Sequence, residues 1–511
     1  MANLLGFIPA LLIGAALQAS AQSLPSFPGA EGFGAVASGG RGGRVLYVTT
    51  LAADPAGMIG GGNSGSLNWA LRQSGPRTVL FKVSGVIDAI ATVRAGDVTI
   101  AGQSSPGGIT VRGLVCGTHY GGVNCDNLIV RHLRSRPACQ LNPPGDCPGA
   151  DDALRLDGIR RAMLDHVSLS NASDEAVQLS WASHVTLQNS IVAETVGDHA
   201  TYGGALLNYS NTLFPLDGIS LVRNLWYRIK GRLPEISCES SAQDDIPPRD
   251  ITACQNIPLR IEVSNNLYFD PGYFIDYGPW VDASSTNGPF RVQLNLVGNR
   301  FLTRAGFSYG LAAFTLLGTG TGEPPSQNML YVHDNHIDRF APLTDYALFY
   351  CCNDFPPEPG GNTSSGTALR RSERHVFPAV SYRSSDRLPR DLPLEVGAQP
   401  HDTMDRRYAA SVATGAIPAI PHELPAANDA LSLDFAPDTP PAPPSDLDAD
   451  GLPDAFEQLH TSHGLGTGAA DNNGLQLSLP LLGQPGYTNI EVYLELLARS
   501  RSERVFADGL E

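Results

Sequence analysis

One short unit recurs along this chain and constrains its fold more than anything else in the sequence. An apolar-x-apolar pair is followed a few residues later by Asn. The unit reads Val185-Thr186-Leu187-Gln188-Asn189, Ile219-Ser220-Leu221-Val222-Arg223-Asn224, Ile261-Glu262-Val263-Ser264-Asn265-Asn266, Leu294-Asn295-Leu296-Val297-Gly298-Asn299 and Leu330-Tyr331-Val332-His333-Asp334-Asn335. Brief alternation marks strands with one buried side. Repetition at roughly 20–50 residues marks a solenoid. Asn at a strand end suits stacked turns, where side-chain amides can bond along the stack. Earlier runs, Val79 to Val83, Val98 to Ile100, Ile109 to Val111 and Leu128 to Val130, are also strand-like. The expected fold is all-β, a parallel β-helix over residues 22–345. A β-sandwich is the alternative, and it would show hairpin turns such as Asn-Gly between paired strands.

The 54 Gly and 39 Pro, with only 17% charged residues, fit turn-rich β structure. The formal net charge of −17 argues against a nucleic-acid partner. It also means that an acidic substrate needs a local cationic or metal-bridged groove. Residues 1–21 read as a secretory signal. Leu4 to Leu17 is apolar but too short to span a bilayer, and Ala19-Ser20-Ala21 is a small-x-small cleavage site. No later segment reads as a membrane span, so a secreted, extracellular or periplasmic monomer is expected. The eight Cys include the near pairs Cys116/Cys125, Cys139/Cys147 and Cys238/Cys254, and the adjacent Cys351-Cys352. An even count behind a signal suggests disulfides, with connectivity left open.

Residues 26–48 are Gly-rich and turn-like, and lack the lysine-serine pair of a phosphate loop. Gly65 to Leu71 reads as a short helix capped by Ser66, placed to cover the open end of the stack. Residues 346–436 are expected to form a loop-rich wrap, and 437–445 a stiff Pro-rich linker. A small EF-hand-like module is expected over 446–495, with a tail over 496–511.

That module opens with Asp446-Leu447-Asp448-Ala449-Asp450-Gly451-Leu452-Pro453-Asp454-Ala455-Phe456-Glu457. Carboxylates at positions 1, 3, 5, 9 and 12 fit the twelve-residue calcium loop, with Gly at 6 and the Leu452 carbonyl at 7. Asp446, Asp448, Asp450, Leu452, Asp454 and Glu457 are therefore expected Ca²⁺ ligands in a structural site. Gly486 to Glu491 looks like the end of a partner loop whose ligands are gone.

Between Ala150 and Pro234, carboxylates come first and a cation last, on β-type runs. That order suggests a Ca²⁺ site with an arginine beside it. Phe27 to Gly34, Ile100 to Val111, Leu164 to Ser170, Ser173-Asp174-Glu175 and Arg232-Leu233-Pro234 occur in the order found in bacterial and fungal pectate lyases of polysaccharide lyase family 1. The chain resembles that family over about residues 26–340. The resemblance implies a right-handed parallel β-helix and β-elimination in α-1,4-polygalacturonate, giving a 4,5-unsaturated uronide. Arg232 aligns with the base of an Arg-x-Pro motif, although arginine ordinarily holds its proton above pH 12. Asp152, Asp174 and Gln178 align with ligands of an active-site Ca²⁺, with Gln178 standing where some members have Asp. Glu235 and Ser237 follow Arg232 where the family usually adds a cation. Substrate carboxylates would then fall to Lys230 or Arg228, beside Pro234. Asp165-His166 is expected to support the wall of the groove. A β-helix glycoside hydrolase acting on pectin and a non-catalytic glycan-binding β-helix remain as alternatives.

Overall fold

A computed structural model describes residues 24–54, 64–117, 124–137, 151–195, 203–208, 210–236, 256–272, 276–277, 291–307, 311–312, 330–350, 370–419 and 440–508. The proposed signal segment lies outside these residues. So do Cys139, Cys147, Cys238, Cys254, Cys351 and Cys352. Cys116 and Cys125 form a disulfide.

The chain winds into a parallel β-helix with three sheets of ten, nine and seven described strands. Most coils give one strand to each sheet, the coils at the two ends fewer. Ser183–Gln188 lies in the ten-stranded sheet, Ile191–Ala193 in the nine-stranded and Ala205–Asn208 in the seven-stranded. Every pair of strands within these sheets is parallel, which excludes the hairpin-built sandwich. The recurring unit falls in strict register. Val185, Ile219, Ile261, Leu294 and Leu330 form one inward column, and Leu187, Leu221, Val263, Leu296 and Val332 another. All ten are buried. At roughly 1.5–3 kcal/mol per buried aliphatic side chain, these columns drive the winding.

A coil must turn sharply where it leaves one sheet for the next. The chain does this with left-handed residues at matched positions. His132, His166, Asn189, Arg223, Asn265 and Asp334 take φ between 50° and 56°, and Gly298 takes 67°. Such angles are uncommon for residues other than Gly. The residue after this corner carries an internal amide ladder. Asn224 Nδ2 donates to Asn266 Oδ1 at 3.1 Å, Asn266 to Asn299 at 3.1 Å and Asn299 to Asn335 at 2.9 Å. All four Asn are fully buried. Asn189, counted with the ladder on sequence grounds, is instead a corner residue. Its successor Ser190 meets the ladder by donating its backbone N–H to Asn224.

Two sheets are covered from outside. The Gly-rich opening lies along the ten-stranded sheet, where Phe33 N–H donates to Ser220 Oγ, Gly34 N–H to Thr186 Oγ1 and Gly40 N–H to Thr99 Oγ1. A Cβ on Gly34 would collide with the Ala162 carbonyl, so the glycines permit this close approach. The helix Leu67–Leu71 is capped by Ser66 as expected, with Trp69 N–H donating to its hydroxyl at 3.1 Å. The wrap is more helical than its Pro, Gly and Ser content suggests. Helices Leu388–Glu395 and Thr403–Thr414 pack on Leu225, Tyr227, Leu267 and Phe269 of the nine-stranded sheet. Asp402 caps the second helix at its start, and Gly415 at φ 66° ends it. The tail also has a structure, because helix Asn489–Asp508 runs from the C-terminal module through most of it.

Asn266→Ala removes a rung from the ladder and leaves buried amide groups unmatched. It should destabilise the fold by about 1–3 kcal/mol, seen as a lower thermal midpoint.

Candidate active site

The short segments leading into the seven-stranded sheet hold the candidate site residues. Asp152 precedes strand Leu154–Asp157, and Asp174 and Glu175 precede Val177–Ser180. Gly203-Gly204 precede Ala205–Asn208, and Arg232 precedes Glu235–Ile236. Backbone bonding continues through these segments, which fixes them relative to one another. Asp174 N–H donates to Asp151 O at 3.0 Å, Ala153 N–H to Glu175 O at 3.1 Å, Ala176 N–H to Gly203 O at 2.9 Å and Ala205 N–H to Arg232 O at 2.6 Å. Strands lie about 4.8 Å apart, so Arg232 sits about 10 Å, two coils, from Glu175. Its side chain crosses the diglycine coil to pair with Glu175, and its Nε pairs with Glu235 at 3.0 Å. A Cβ on Gly204 would collide with the Arg232 carbonyl, and one on Gly203 with the Asp174 carbonyl. The diglycine therefore sets the closeness of the cation to the carboxylates. Arg232 also takes φ 56°, away from the corner columns, and such outliers concentrate at functional sites.

Asp152, Asp174 and Glu175 each offer a carboxylate oxygen, all within 4.8 Å of one another. Asp152 is buried and accepts from Glu175 N–H at 3.0 Å. Burial, reinforced by the nearby Asp174, Asp157 and Asp151 charges, pushes its carboxyl up to about 8, with Arg155 opposing. Crowded anions with hard oxygen donors suit Ca²⁺.

Two of the expected residues belong to this carboxylate cluster. Asp152 and Asp174 join it. Gln178 lies within the strand, where its amide faces Ser180 Oγ at 3.2 Å and Asp157 at 3.5 Å. The third carboxylate comes from Glu175, next to Asp174. Its presence in the Asp-Glu pair was the available signal. Arg228 must be removed from the substrate-binding set. Its side chain is completely buried at a coil corner and ion-paired with Glu194 at 3.0 Å and Asp270 at 3.4 Å. Pro234 is buried too, so it shapes the turn after Arg232 and offers no exposed surface. Lys230 is half-buried.

Asp165 and His166 lie elsewhere, at the corner that ends a strand of the ten-stranded sheet. Asp165 is buried and takes Arg131 Nε, Gln188 Nε2 and Asn189 Nδ2, each at 2.9 Å, with His166 Nδ1 also at 2.9 Å. His166 stacks on His132 at 4.9 Å between ring centroids. The pair is structural.

In the C-terminal module, Asp446, Asp448 and Asp450 converge, and Asp450 and Glu457 converge with Asp471. Asp454 departs from the expected set. Its two oxygens accept from Ser445 Oγ at 2.5 Å and Leu447 N–H at 2.8 Å. The side chain of Leu452 is in the module core.

No protein-family profile matches the chain. A probable pectate lyase C of Aspergillus fumigatus is 30% identical over 503 residues, covering 96% of this chain and 98% of that one. A probable pectate lyase C of Aspergillus oryzae is 30% identical over 504 residues with the same coverage. The chain belongs to the pectate lyase family. It is accordingly a polysaccharide lyase by kinship. Among solved structures, the cedar-pollen allergen jun a 1 is 16% identical, with TM-score 0.49 over 72% of this chain and 92% of that one. Among the described residues of this pectate lyase relative, no helix is long and apolar enough to cross a membrane.

Arg228→Ala should cost about 3–5 kcal/mol of stability by stranding buried carboxylates, while leaving KM for substrate unchanged in the folded fraction. Gly204→Ala should push Arg232 out of position and lower kcat more than it raises KM. Four partners and the neighbouring positive charges hold Asp165 well below the usual carboxylate range despite its burial. Its stabilising contribution is complete above the unfolded value of about 3.9 and is lost as pH falls toward the folded value. Asp165→Asn should therefore lower the thermal midpoint at pH 7 and shrink the difference between pH 7 and pH 3.

Proposed function

We propose that this protein is a secreted, Ca²⁺-dependent pectate lyase that cleaves α-1,4-polygalacturonate by β-elimination. The observation that carries this reading is the meeting of Asp152, Asp174 and Glu175 with Arg232 across neighbouring coils. The relatives named as pectate lyases give the reaction class.

The chemical problem is a C5 proton α to a carboxylate, which is hardly acidic while that carboxylate keeps its charge. Asp152, Asp174 and Glu175 would hold the Ca²⁺. When bound, the ion neutralises uronate charge and so acidifies the C5 proton. Arg232, in its neutral guanidine form, would then accept that proton from its place across the diglycine; the C5 electron pair would form the C4–C5 double bond as the glycosidic C4–O bond breaks, and the departing oxygen would take a proton from solvent to become the new reducing-end hydroxyl. Glu235, at 3.0 Å from Nε, fixes one side of the guanidinium and aims the other. Lys230, half-buried two residues before Arg232, is a candidate cation for a neighbouring uronate. Cleavage leaves a 4,5-unsaturated uronide at the new non-reducing end. Glu175 has two duties, as oxygen donor to the ion and as partner of Arg232, so loading the site and orienting the base are linked through one side chain.

The ultraviolet absorbance of the unsaturated product on polygalacturonate tests the proposal. Wild type with Ca²⁺ should give the signal, and chelator should abolish it. Arg232→Lys should lower kcat by on the order of 10²–10⁴. Reducing ends without the absorbance would replace elimination with hydrolysis, and pectin binding with neither signal would make the chain a glycan-binding module.

A further inference from the structure

The C-terminal carboxylates present a separate physical problem. Glu457 is fully buried, yet both its carboxylate oxygens lack a hydrogen-bond partner among the described residues. Asp446 Oδ1, Asp448 Oδ2 and Asp471 Oδ1 are buried and unpartnered as well. Leaving a carboxylate dry and unpaired is expensive, so such groups are normally paired or bound to metal. Among the described residues, none of these carboxylates is in an ion pair with a Lys, Arg or His side chain. Burial and mutual repulsion push Glu457 up to about 7 and Asp446 to about 6. The oxygens converge, since Asp446, Asp448 and Asp450 form one group within 4.8 Å and Asp450, Glu457 and Asp471 another.

The loop is also fastened to the β-helix. Gly451 takes φ 106°, and a Cβ there would press on Val45 and Leu80 of the ten-stranded sheet at 3.0 and 3.1 Å. Tyr47 OH donates to Asp446 Oδ2. Leu452, Leu477, Tyr487 and Ile490 of the module share one apolar core with Leu80 and Ala101. Asp450 Oδ2 accepts from the backbone N–H groups of Asp471 and Asn472 at 2.8 and 2.9 Å, which draws the distant segment into the loop. The helix that follows carries Glu495 to Arg131 at 2.8 Å, and Arg131 in turn holds Asp165.

The geometry points to a second, structural divalent-cation site formed by Asp446, Asp448, Asp450, Glu457 and Asp471, which clasps the C-terminal module onto the first coils of the β-helix. The chemistry, a set of hard carboxylate oxygens, selects Ca²⁺ over softer metals. Asp471, fourteen positions after Glu457, takes the place in the cluster that loop spacing assigns to Asp454. The site is independent of the lyase reaction.

The test uses the full-length protein, stripped with chelator and titrated with CaCl₂, read by calorimetric stoichiometry and thermal midpoint. Asp471→Asn and Glu457→Gln should each remove one equivalent of tight Ca²⁺. They should also remove about 3 °C of the Ca²⁺-dependent gain in midpoint, the shift expected of a chain this size at 100 times Kd. In chelator, both variants should melt no lower than wild type, since each removes a buried, unpartnered negative charge. Asp454→Asn should keep the full stoichiometry. The clasp is overturned if Asp471→Asn binds as many ions as wild type, or if Asp454→Asn loses the equivalent instead. Asp174→Asn serves as the reference for the other site. It should remove a different equivalent, so a failed lyase proposal and a failed clasp give different results.

Discussion

Everything in this protein depends on the register of one coil against the next. Parallel strands stacked in strict alignment put like residues in columns, and each column meets a different demand. Aliphatic columns fill the interior. Left-handed residues turn the corners, and the buried Asn ladder satisfies amides that the turn would otherwise strand. A slip of one residue would reverse inside and outside along a strand, so the columns enforce one another.

Register also builds the candidate active site. Asp174 and Glu175 are neighbours in sequence, but the other contacts of the carboxylates with Asp152 and Arg232 come from the stacking of coils. Asp152, Glu175, the diglycine and Arg232 come from four successive coils, and the ladder brings them together in that order. The diglycine contributes by what it lacks, since a side chain there would displace the segments on either side. This makes the site rigid along the stack, as catalytic geometry requires. The shared carboxylate of Glu175 gives the arginine and the expected ion a common anchor.

The ends of the chain close around the ten-stranded sheet. The N-terminal opening lies along it, and the C-terminal module and its long helix dock on its first coils. Through Glu495 and Arg131 the helix reaches the Asp165 corner in the middle of the stack. Segments 440–445 lie against this part too, with Pro440 close to Gly107. The described part of the Pro-rich stretch thus lies against the β-helix.

Periodicity in the sequence was enough to specify the solenoid, because a period of coils leaves one aliphatic pair and one Asn per turn wherever it occurs. The Ser66 cap and the convergence of Asp446, Asp448, Asp450 and Glu457 were legible for a similar reason, as both depend on spacing within a few residues. The sequence also carried the family, through motifs in a fixed order. Tertiary structure alone decided which side chains meet between coils. Glu175, from the turn before the strand, joins Asp152 and Asp174 as the third carboxylate. Arg228 faces buried carboxylates from sequence-distant coils, which no local reading could place. Asp471 joins the loop carboxylates from outside because Asp450 accepts from its backbone N–H, while the Asp454 oxygens accept from Ser445 and Leu447. Spacing determines what a segment can do by itself; only packing determines which partner reaches it.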